Sequence, residues 1–476
     1  MSAVAQLLTL SDSARLVRAR ALSPVDLTRS CLERIERLDG QLNAFIGVNR
    51  EEALDRAHSA ELELMRGDYR GSLHGIPIAL KDVVDVRGMP TTAASAAYGD
   101  RTLDRDAEVV RRLRAAGAVI LGKLNLHELA YGASSVVSAF GPVRNPWSRD
   151  HAAGGSSSGS AVAVATGMCY GAVGTDTGGS IRQPAAFCGV TGLKPTYGRV
   201  STRGVMPLSP SYDHVGPIAT SALDAALMLQ VMEGRDPGDP ARSSLSAPDY
   251  AGVLEDPEGL APGLRVGIPR KYSFGSLDPE ISDALDSARG ILRRLGLIER
   301  EVAVPALTDT TLFRAEAWAL YRERALRAPE RFQPETLRRL RAGGALDEAA
   351  RVEELRRLAK LRGSTGALFA DVDVIVTPTT VVLPFRVADT SGESDGLRVR
   401  ESVTLQNTRP FNILGLPTIS IPCGFSADGL PIGMQITGAP GAEMTVLQVA
   451  HAYQGATRWH LCRPPVDQTP ASDLER

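Results

Sequence analysis

Two glycine–serine segments bracket an apolar run in residues 154–184, which read GGSSSGSAVAVATGMCYGAVGTDTGGSIRQP. Glycine lets backbone N–H groups approach a ligand or one another closely, and each serine presents a hydroxyl beside those donors. A developing oxyanion needs such preorganised N–H groups next to a nucleophile. The run between the segments is almost uncharged and predicts a buried helix over Ala161–Gly167, whereas flexible linkers are polar throughout. Because buried serines need partners, the pattern favours a functional site over a flexible connection.

Two other interpretations of these glycines are weaker. A phosphate-binding loop needs GxxxxGK[ST], and no lysine follows these glycines. Gly155–Gly159 does match GxSxG, the nucleophile elbow of α/β-hydrolases, but such a match arises easily inside a Gly/Ser run. The elbow also needs a histidine downstream, and only His214, His451 and His460 follow. We expect His214 to be a packed structural residue, which argues against the elbow.

A serine nucleophile requires a base, and Lys81 is the candidate. It interrupts an apolar segment instead of lying on a polar face, with Ile78, Leu80 and Val83 close by. Desolvation among these side chains lowers the pKa of an amine and leaves it neutral near pH 7. Taken alone, Lys81 is equally well explained as a strand-end lysine that reaches solvent. Only together with the two serine segments does it indicate a base.

Predicted strands and helices alternate along the chain. Ser23 and Pro24 are typical of a helix start, and that helix is expected to end at Gly40. The strand–helix–strand order of residues 75–122 indicates a parallel or mixed sheet covered by helices. The predicted helices are 50–66, 107–116, one after Pro279 and several within 308–361. The predicted strands are 75–86, 117–122, 264–268, 373–377, 418–422 and 432–437.

This order favours one domain over residues 1–476. We expect amino-terminal helices in 1–70, the core with the chemistry in 71–220, and the rest of the sheet with substrate-lining helices in 264–476. The stretch 233–263 is rich in Pro, Asp and Ser and indicates a surface connection.

Composition excludes several classes of protein. Apolar residues make up 43% of the 476 residues and charged residues 23%, as in a soluble globular enzyme, and the net charge of −2 suggests no nucleic-acid or membrane partner. No stretch reaches the roughly 18 apolar residues that cross a bilayer, and the amino terminus is a poor match to a signal peptide. The five cysteines have no CxxC spacing, so we expect free thiols, no metal site and a cytoplasmic protein.

Three blocks carry a family resemblance: GIPIALKD (75–82), GGSSSGSA (154–161) and GTDTGGSIRQP (174–184). They closely resemble the amidase signature family, and GLKPTYGRV (192–200), DVDVIVTPT (371–379) and GLPTISIPCG…GLPIGMQ (415–435) extend the likeness over most of the chain. The resemblance implies an α/β fold in which a twisted mixed β-sheet is sandwiched between helices. It also implies an amidase that forms an acyl-enzyme and requires no metal or organic cofactor.

The resemblance further implies roles for individual residues. Ser180 matches the nucleophile, Lys81 the base, and Ser156 the serine that relays protons after a cis peptide bond with Gly155. Asp176 and Arg182 are expected to pair and support the loop, with substrate binding by Arg182 as the alternative. The oxyanion would be held by the backbone N–H groups of Thr177, Gly178, Gly179 and Ser180.

Several functions are compatible with this family. It includes amidases, carbamate hydrolases and the glutaminase subunit of tRNA-dependent amidotransferases; esters would use the same acyl chemistry. Where that subunit reads Leu-Asp-Gln-Ile-Gly-Pro, this chain reads Tyr212-Asp-His-Val-Gly-Pro217, and Asn407–Asn412 lacks an acidic residue for the amino group of glutamine. The sequence therefore favours a free amidase with a small-molecule amide as its partner, a neutral pocket and, at most, homodimer formation. A catalytically dead binding protein is disfavoured because all three triad positions are filled.

The substrate pocket is the least determined feature. We expect it to be lined by Met89–Tyr98, Leu126–Ser135, a lid formed by the polar segment Ala388–Leu397, and aromatic residues of one helix. These aromatics are Phe313, Trp318 and Tyr321, of which at least two are expected to serve ordinary packing.

Overall fold

The computed structural model describes residues 8–241, 248–254, 260–269, 277–344, 346–390 and 394–466. The strands in this part of the chain form one sheet of eleven. They are β1 (Phe45–Val48), β2 (Pro77–Lys81), β3 (Val119–Leu124), β4 (Gly171–Asp176), β5 (Thr191–Lys194), β6 (His214–Ala219), β7 (Arg265–Pro269), β8 (Ile298–Val302), β9 (Val374–Pro378), β10 (Thr418–Phe425) and β11 (Pro431–Gly438).

Helices flank this sheet. They are α1 (Leu10–Arg18), α2 (Pro24–Leu42), α3 (Arg50–Arg66), α4 (Glu108–Ala115), α5 (Ser158–Ala165), α6 (Arg182–Cys188), α7 (Ala222–Met232), α8 (Tyr250–Leu254), α9 (Pro279–Arg294), α10 (Thr311–Arg327), α11 (Pro334–Arg341), α12 (Glu348–Gly363), α13 (Ser394–Thr404), α14 (Arg409–Ile413) and α15 (Glu443–Ala456). Within the described residues, none of these helices is both long and apolar enough to cross a membrane.

The sheet is mixed, as expected. Its strand order is β1-β3-β2-β4-β6-β5-β10-β11-β9-β7-β8. β2 runs parallel to both β3 and β4, whereas β4 is antiparallel to β6 and β10 is antiparallel to both β5 and β11. Strands from before and after residues 233–263 thus join one sheet, as a single domain requires.

The connection at 233–263 is more closely packed than the sequence suggests. Residues 242–247 and 255–259 lie outside the described part of the chain, but α8 is described and its Tyr250 is fully buried. The Tyr250 hydroxyl donates to Glu233 at 3.1 Å and accepts from Arg199 at 2.7 Å. Because this polar cluster is buried, the described part of the connection packs against the core.

Helix α2 shows where the sequence prediction fails and why. The Ser23 hydroxyl accepts hydrogen bonds from the backbone of Val25 and Asp26, so the predicted start is confirmed. The predicted end at Gly40 is wrong, because the helix continues to Leu42, whose side chain is buried in the core. Asn43 then takes the left-handed conformation at φ 56° that ends the helix.

Candidate active site

The site begins at the carboxyl ends of two parallel strands. Leu80 in β2 lies opposite Val173 in β4, so Lys81 and Thr175 meet at the same edge of the sheet. The two glycine–serine segments adjoin this edge: residues 154–157 lead into α5, and residues 177–180 follow β4 and lead into α6. Strand pairing therefore brings together the three sequence blocks that carry the family resemblance.

Lys81 is enclosed by hydroxyl groups. Its side chain is 0% exposed, and its Nζ lies 2.7 Å from Ser156 Oγ, 2.9 Å from Ser157 Oγ and 2.7 Å from Thr175 Oγ1. Burial lowers the pKa of Lys81 to about 7, although the carboxylates of Asp176 and Asp213 act to raise it. The alternative that Lys81 reaches solvent is therefore wrong.

Ser156 lies between Lys81 and the second serine segment. The peptide bond between Gly155 and Ser156 is cis, as the resemblance implies. Ser156 is fully buried, and its carbonyl oxygen accepts a hydrogen bond from the backbone of His127 at 3.2 Å. The next residue, Ser157, donates its backbone N–H to the carbonyl oxygen of Ser180 at 3.2 Å, which ties the two segments together.

Two of the three hydroxyls around Lys81 are not predicted by the sequence. Ser157 is one of three consecutive serines, and the sequence does not distinguish which of them face the lysine. Thr175 lies not in a loop but in β4, whose backbone pairs with β2 on one side and β6 on the other. Its hydroxyl reaches Lys81 only because β2 is the parallel neighbour.

Ser180 borders a cavity of about 340 Å³ that is partly open to solvent. Its side chain is 5% exposed, and Thr177 and Gly178 line the same cavity. Within the described residues, the backbone N–H groups of Thr177, Gly178 and Ser180 have no hydrogen-bond acceptor. They are available to a ligand in the cavity.

Gly179 departs from the expectation. Its N–H donates to the carboxylate of Asp176 at 2.7 Å, so the predicted role of this group in an oxyanion hole is wrong. The residue has φ +139°, and a Cβ there would lie 2.2 Å from Thr408 Oγ1. Glycine is required at this position because the backbone is left-handed and packs directly against Thr408.

Asp176 and Arg182 form the expected pair, and both side chains are 0% exposed. Arg182 Nε lies 3.0 Å from Asp176 Oδ2, and the guanidinium also donates to Asn412 at 2.6 Å and Gln435 at 3.1 Å. Because every one of these contacts is internal, a substrate-binding role for Arg182 is wrong. The network holds the loop that carries Ser180.

The charge of Asp176 is stabilised despite its burial. Burial opposes ionisation, but the Arg182 guanidinium and the Asn412 amide together hold the pKa of the carboxyl well below its usual range. Removing one member of a buried pair of this kind typically costs about 3–5 kcal/mol, because the other charge is left without a partner. The loop is therefore built on a charge pair that contributes only when complete.

His214 has the structural role expected for it. Its ring is buried, and Nδ1 lies 2.7 Å from the carbonyl oxygen of Tyr212 and 3.1 Å from that of Asp176. The ring also packs edge-to-face against Tyr197. Burial lowers the pKa of His214 well below its ordinary value, so the imidazole is neutral.

The cavity walls agree only in part with the sequence expectation. Tyr131 and its neighbours line the cavity, as does Phe313, whose ring packs edge-to-face against Tyr131 at 5.3 Å. Trp318 and Tyr321 instead pack against the core, which confirms that two of the three aromatics serve packing. The segment Met89–Tyr98 does not line the cavity; its Tyr98 contacts Tyr321.

The expected lid at Ala388–Leu397 is replaced by a helix. Residues 391–393 lie outside the described part of the chain, and α13 begins at Ser394. The cavity is lined by the residues that follow, among them Glu401, Ser402 and Leu405. The sequence does not reveal this wall because its polar start has no helical periodicity.

The expectation of a neutral pocket is also wrong. Four arginines line the cavity, namely Arg314, Arg339, Arg398 and Arg409, against the two carboxylates Asp309 and Glu401. Asp309 pairs with Arg357, and Glu401 pairs with Arg339 at 2.7 Å. The cavity therefore has a positive balance that favours an anionic ligand.

The fold and this site together define an enzyme family. The family model described as Amidase matches residues 26–447, so the chain belongs to the amidase signature family and is an enzyme that cleaves an amide C–N bond.

The chain is similar to a glutamyl-tRNA(Gln) amidotransferase subunit from Moorella thermoacetica, with 37% identity over 489 residues that cover 96% of this chain and 98% of that protein. Among solved structures it resembles the peptide amidase of Stenotrophomonas maltophilia, with a TM-score of 0.83, 32% identity and coverage of 97% and 99%. It also resembles 6-aminohexanoate cyclic dimer hydrolase, with a TM-score of 0.88, 29% identity and coverage of 97% and 100%.

Proposed function

We propose that the chain cleaves its amide by acyl transfer to Ser180, with Ser156 carrying protons and Lys81 acting as base. The observation that carries this proposal is the 2.7 Å contact between Lys81 Nζ and Ser156 Oγ. Because the pKa of Lys81 is about 7, a large fraction of the molecules hold a neutral amine at neutral pH. A base of this pKa accepts a proton effectively at that pH.

The reaction then follows from the positions of these groups. Lys81 takes the hydroxyl proton of Ser156 while Ser156 takes that of Ser180, whose oxygen attacks the amide carbon. The N–H groups of Thr177, Gly178 and Ser180 stabilise the negative charge on the carbonyl oxygen. The C–N bond breaks as Ser156 returns a proton to the departing nitrogen, which leaves an ester on Ser180. Water attacks this ester and releases the acid.

Activity is expected to rise with pH through about 7 and then to level off. Protonated Lys81 cannot act as base, and its pKa is about 7, so the acidic limb of kcat/KM follows its deprotonation. Asp213, whose own pKa burial raises to about 7, acts to raise that of Lys81. In Asp213→Asn, which retains an acceptor for the Thr177 hydroxyl, the limb is expected at lower pH. A profile that is flat from pH 6 to 8 in the wild type would contradict Lys81 as base.

Among specific functions, the sequence relatives favour the glutaminase subunit of an amidotransferase. The relative from Moorella thermoacetica carries the name of such a subunit, and so does one from Methylococcus capsulatus that is 40% identical over 491 residues. Glutamine bears a carboxylate, which the positive balance of the cavity accommodates. We therefore place this function first, ahead of the free amidase that the sequence favours; a cytoplasmic location and a homodimer stay predictions.

A free amidase is the second candidate, and one feature of the cavity favours it. Glutamine also carries an ammonium group, and both carboxylates lining the cavity are engaged in ion pairs with arginine. Within the described residues, the cavity has no unpaired carboxylate for that ammonium group. Leu405 and Gln406 line the wall beside Asn407–Asn412, where an acidic residue is missing.

Ammonia release by the purified chain separates the two functions. The assay compares glutamine with glutaramate, which is glutamine without its ammonium group, and with neutral amides. Turnover of glutamine, alone or only after addition of partner amidotransferase subunits, supports the first function. Turnover of glutaramate with none of glutamine under either condition supports the free amidase. If none of these amides releases ammonia, the proposed acyl transfer at Ser180 is wrong for this substrate class.

A further inference from the structure

Arg409 is a cation without a counter-ion in the wall of the cavity. Its side chain is half-buried and lines the cavity together with Ser180. Burial lowers the pKa of Arg409, and no nearby carboxylate offsets this effect. No ion pair joins Arg409 to another of the described residues. A guanidinium withdrawn from water in this way is costly unless an anion joins it.

The other charges around the cavity do not fill this role. Glu401 lies 2.7 Å from Arg339 Nη1, and Arg339 also pairs with Glu335. Arg314 donates to the carbonyl oxygen of Ala342. These groups have partners within the protein, whereas the guanidinium of Arg409 remains available to a ligand.

The position of Arg409 is coupled to the loop that carries Ser180. The preceding residue, Thr408, donates its hydroxyl to the carbonyl oxygen of Gly178 at 2.6 Å. Three residues further on, Asn412 donates to the carboxylate of Asp176 at 2.7 Å. Because residues on both sides of Arg409 are bound to residues of the loop, its backbone is held at a set place relative to the site of bond cleavage.

We propose that Arg409 binds a carboxylate of the substrate and so selects amides that carry an anionic group near the scissile bond. The inference rests on the proposed function and names its substrate class. A guanidinium forms two parallel hydrogen bonds to a carboxylate, which gives direction as well as affinity. Nearby, the side-chain carbonyl oxygen of Gln406 is buried in the wall without a hydrogen-bond partner and offers an acceptor for an N–H of the same substrate.

The test compares two substrates that differ in one charge. Malonamate, succinamate and glutaramate each carry a carboxylate, and the corresponding diamides replace it by a neutral group of the same shape. We expect Arg409→Met to lower kcat/KM for the preferred amido acid by about 10- to 100-fold, mainly through KM, because hydrogen bonds to charged groups have that magnitude. For the diamide, kcat/KM is expected to change by less than about 3-fold, since the lost ion pair has no counterpart there.

Two further variants sharpen the comparison. Arg409→Lys keeps the charge and is expected to recover part of the loss for the amido acid. Arg400→Met removes an exposed arginine of α13 that does not line the cavity, so both substrates should be cleaved as by the wild type. An equal loss for amido acid and diamide in Arg409→Met would show a structural role and overturn the inference, as would no loss for either.

Binding to a variant that cannot turn over separates this inference from the proposed reaction. Calorimetry measures binding of the same three amido acids to Ser180→Ala and to the double variant Ser180→Ala/Arg409→Met. If the wild type cleaves nothing but Ser180→Ala binds an amido acid and the double variant does not, the reaction is wrong and the inference holds. If Ser180→Ala binds none of the three, or the double variant binds equally well, the inference is wrong.

Discussion

Ser180→Ala is expected to lower kcat by roughly 10⁴- to 10⁶-fold, the range found when the nucleophile of a serine hydrolase is removed. Without the hydroxyl no acyl-enzyme forms, while the cavity and the N–H groups of Thr177 and Gly178 remain. Stability should change by less than about 1 kcal/mol, because the Ser180 side chain faces the cavity and no packed methylene group is removed. The measurement is kcat on the best amide together with the free energy of unfolding.

Ser158→Ala provides a matched control in the same region. Ser158 is fully buried at the start of α5, and its hydroxyl has no hydrogen-bond partner among the described residues. Its removal is expected to leave kcat within about 2-fold, because no partner is left unsatisfied. If Ser180→Ala retains more than a few per cent of the wild-type rate in a preparation free of contaminating amidase, the assigned nucleophile is wrong.

Lys81→Met is expected to lower kcat by about 10²- to 10⁴-fold, the contribution usual for a general base. Methionine fills a similar volume and has no charge to bury. The hydroxyls of Ser156 and Thr175 lose a partner, but Ser157 keeps its bond to the carbonyl oxygen of Thr175 at 3.1 Å. We therefore expect the free energy of unfolding to change by less than about 2 kcal/mol.

Lys123→Met is the contrasting variant on the neighbouring strand β3. Lys123 is also a buried lysine, but its Nζ lies 2.7 Å from Asp82, and it does not contact the serines of the site. Breaking this pair leaves a buried carboxylate and is expected to cost about 3–5 kcal/mol of stability, while kcat per folded molecule stays near that of the wild type. If instead Lys81→Met loses stability and keeps its rate, Lys81 is a structural residue.

The site residues can be found from the sequence because each lies in a pattern with a local physical meaning. Lys81 interrupts an apolar strand, Ser156 follows two glycines, and Ser180 ends a second glycine segment. The Asp176–Arg182 pair spans only six positions and is also expected. Where backbone hydrogen bonding decides, the sequence is less informative: the N–H of Gly179 is expected to face the cavity but donates to Asp176.

The cavity cannot be derived in this way because its walls come from distant parts of the chain. Tyr131, Phe313, Glu401 and Arg409 lie on four separate segments and meet only when the sheet and its helices have packed. A sequence shows each arginine, but not which of them has a carboxylate opposite it. The expected neutral pocket is wrong for this reason, since the charge of a cavity depends on the ion pairs formed around it.

Short-range patterns thus specify the mixed α/β architecture and the serine and lysine residues proposed for the chemistry, because hydrophobic periodicity and glycine-rich turns act over a few residues. Tertiary structure decides the rest. It places Thr175 beside Lys81 through the pairing of β2 with β4, lowers the pKa of Lys81 by burial, and leaves Arg409 without a counter-ion. Burial and charge pairing depend on residues hundreds of positions apart, and these properties determine which amide the site accepts.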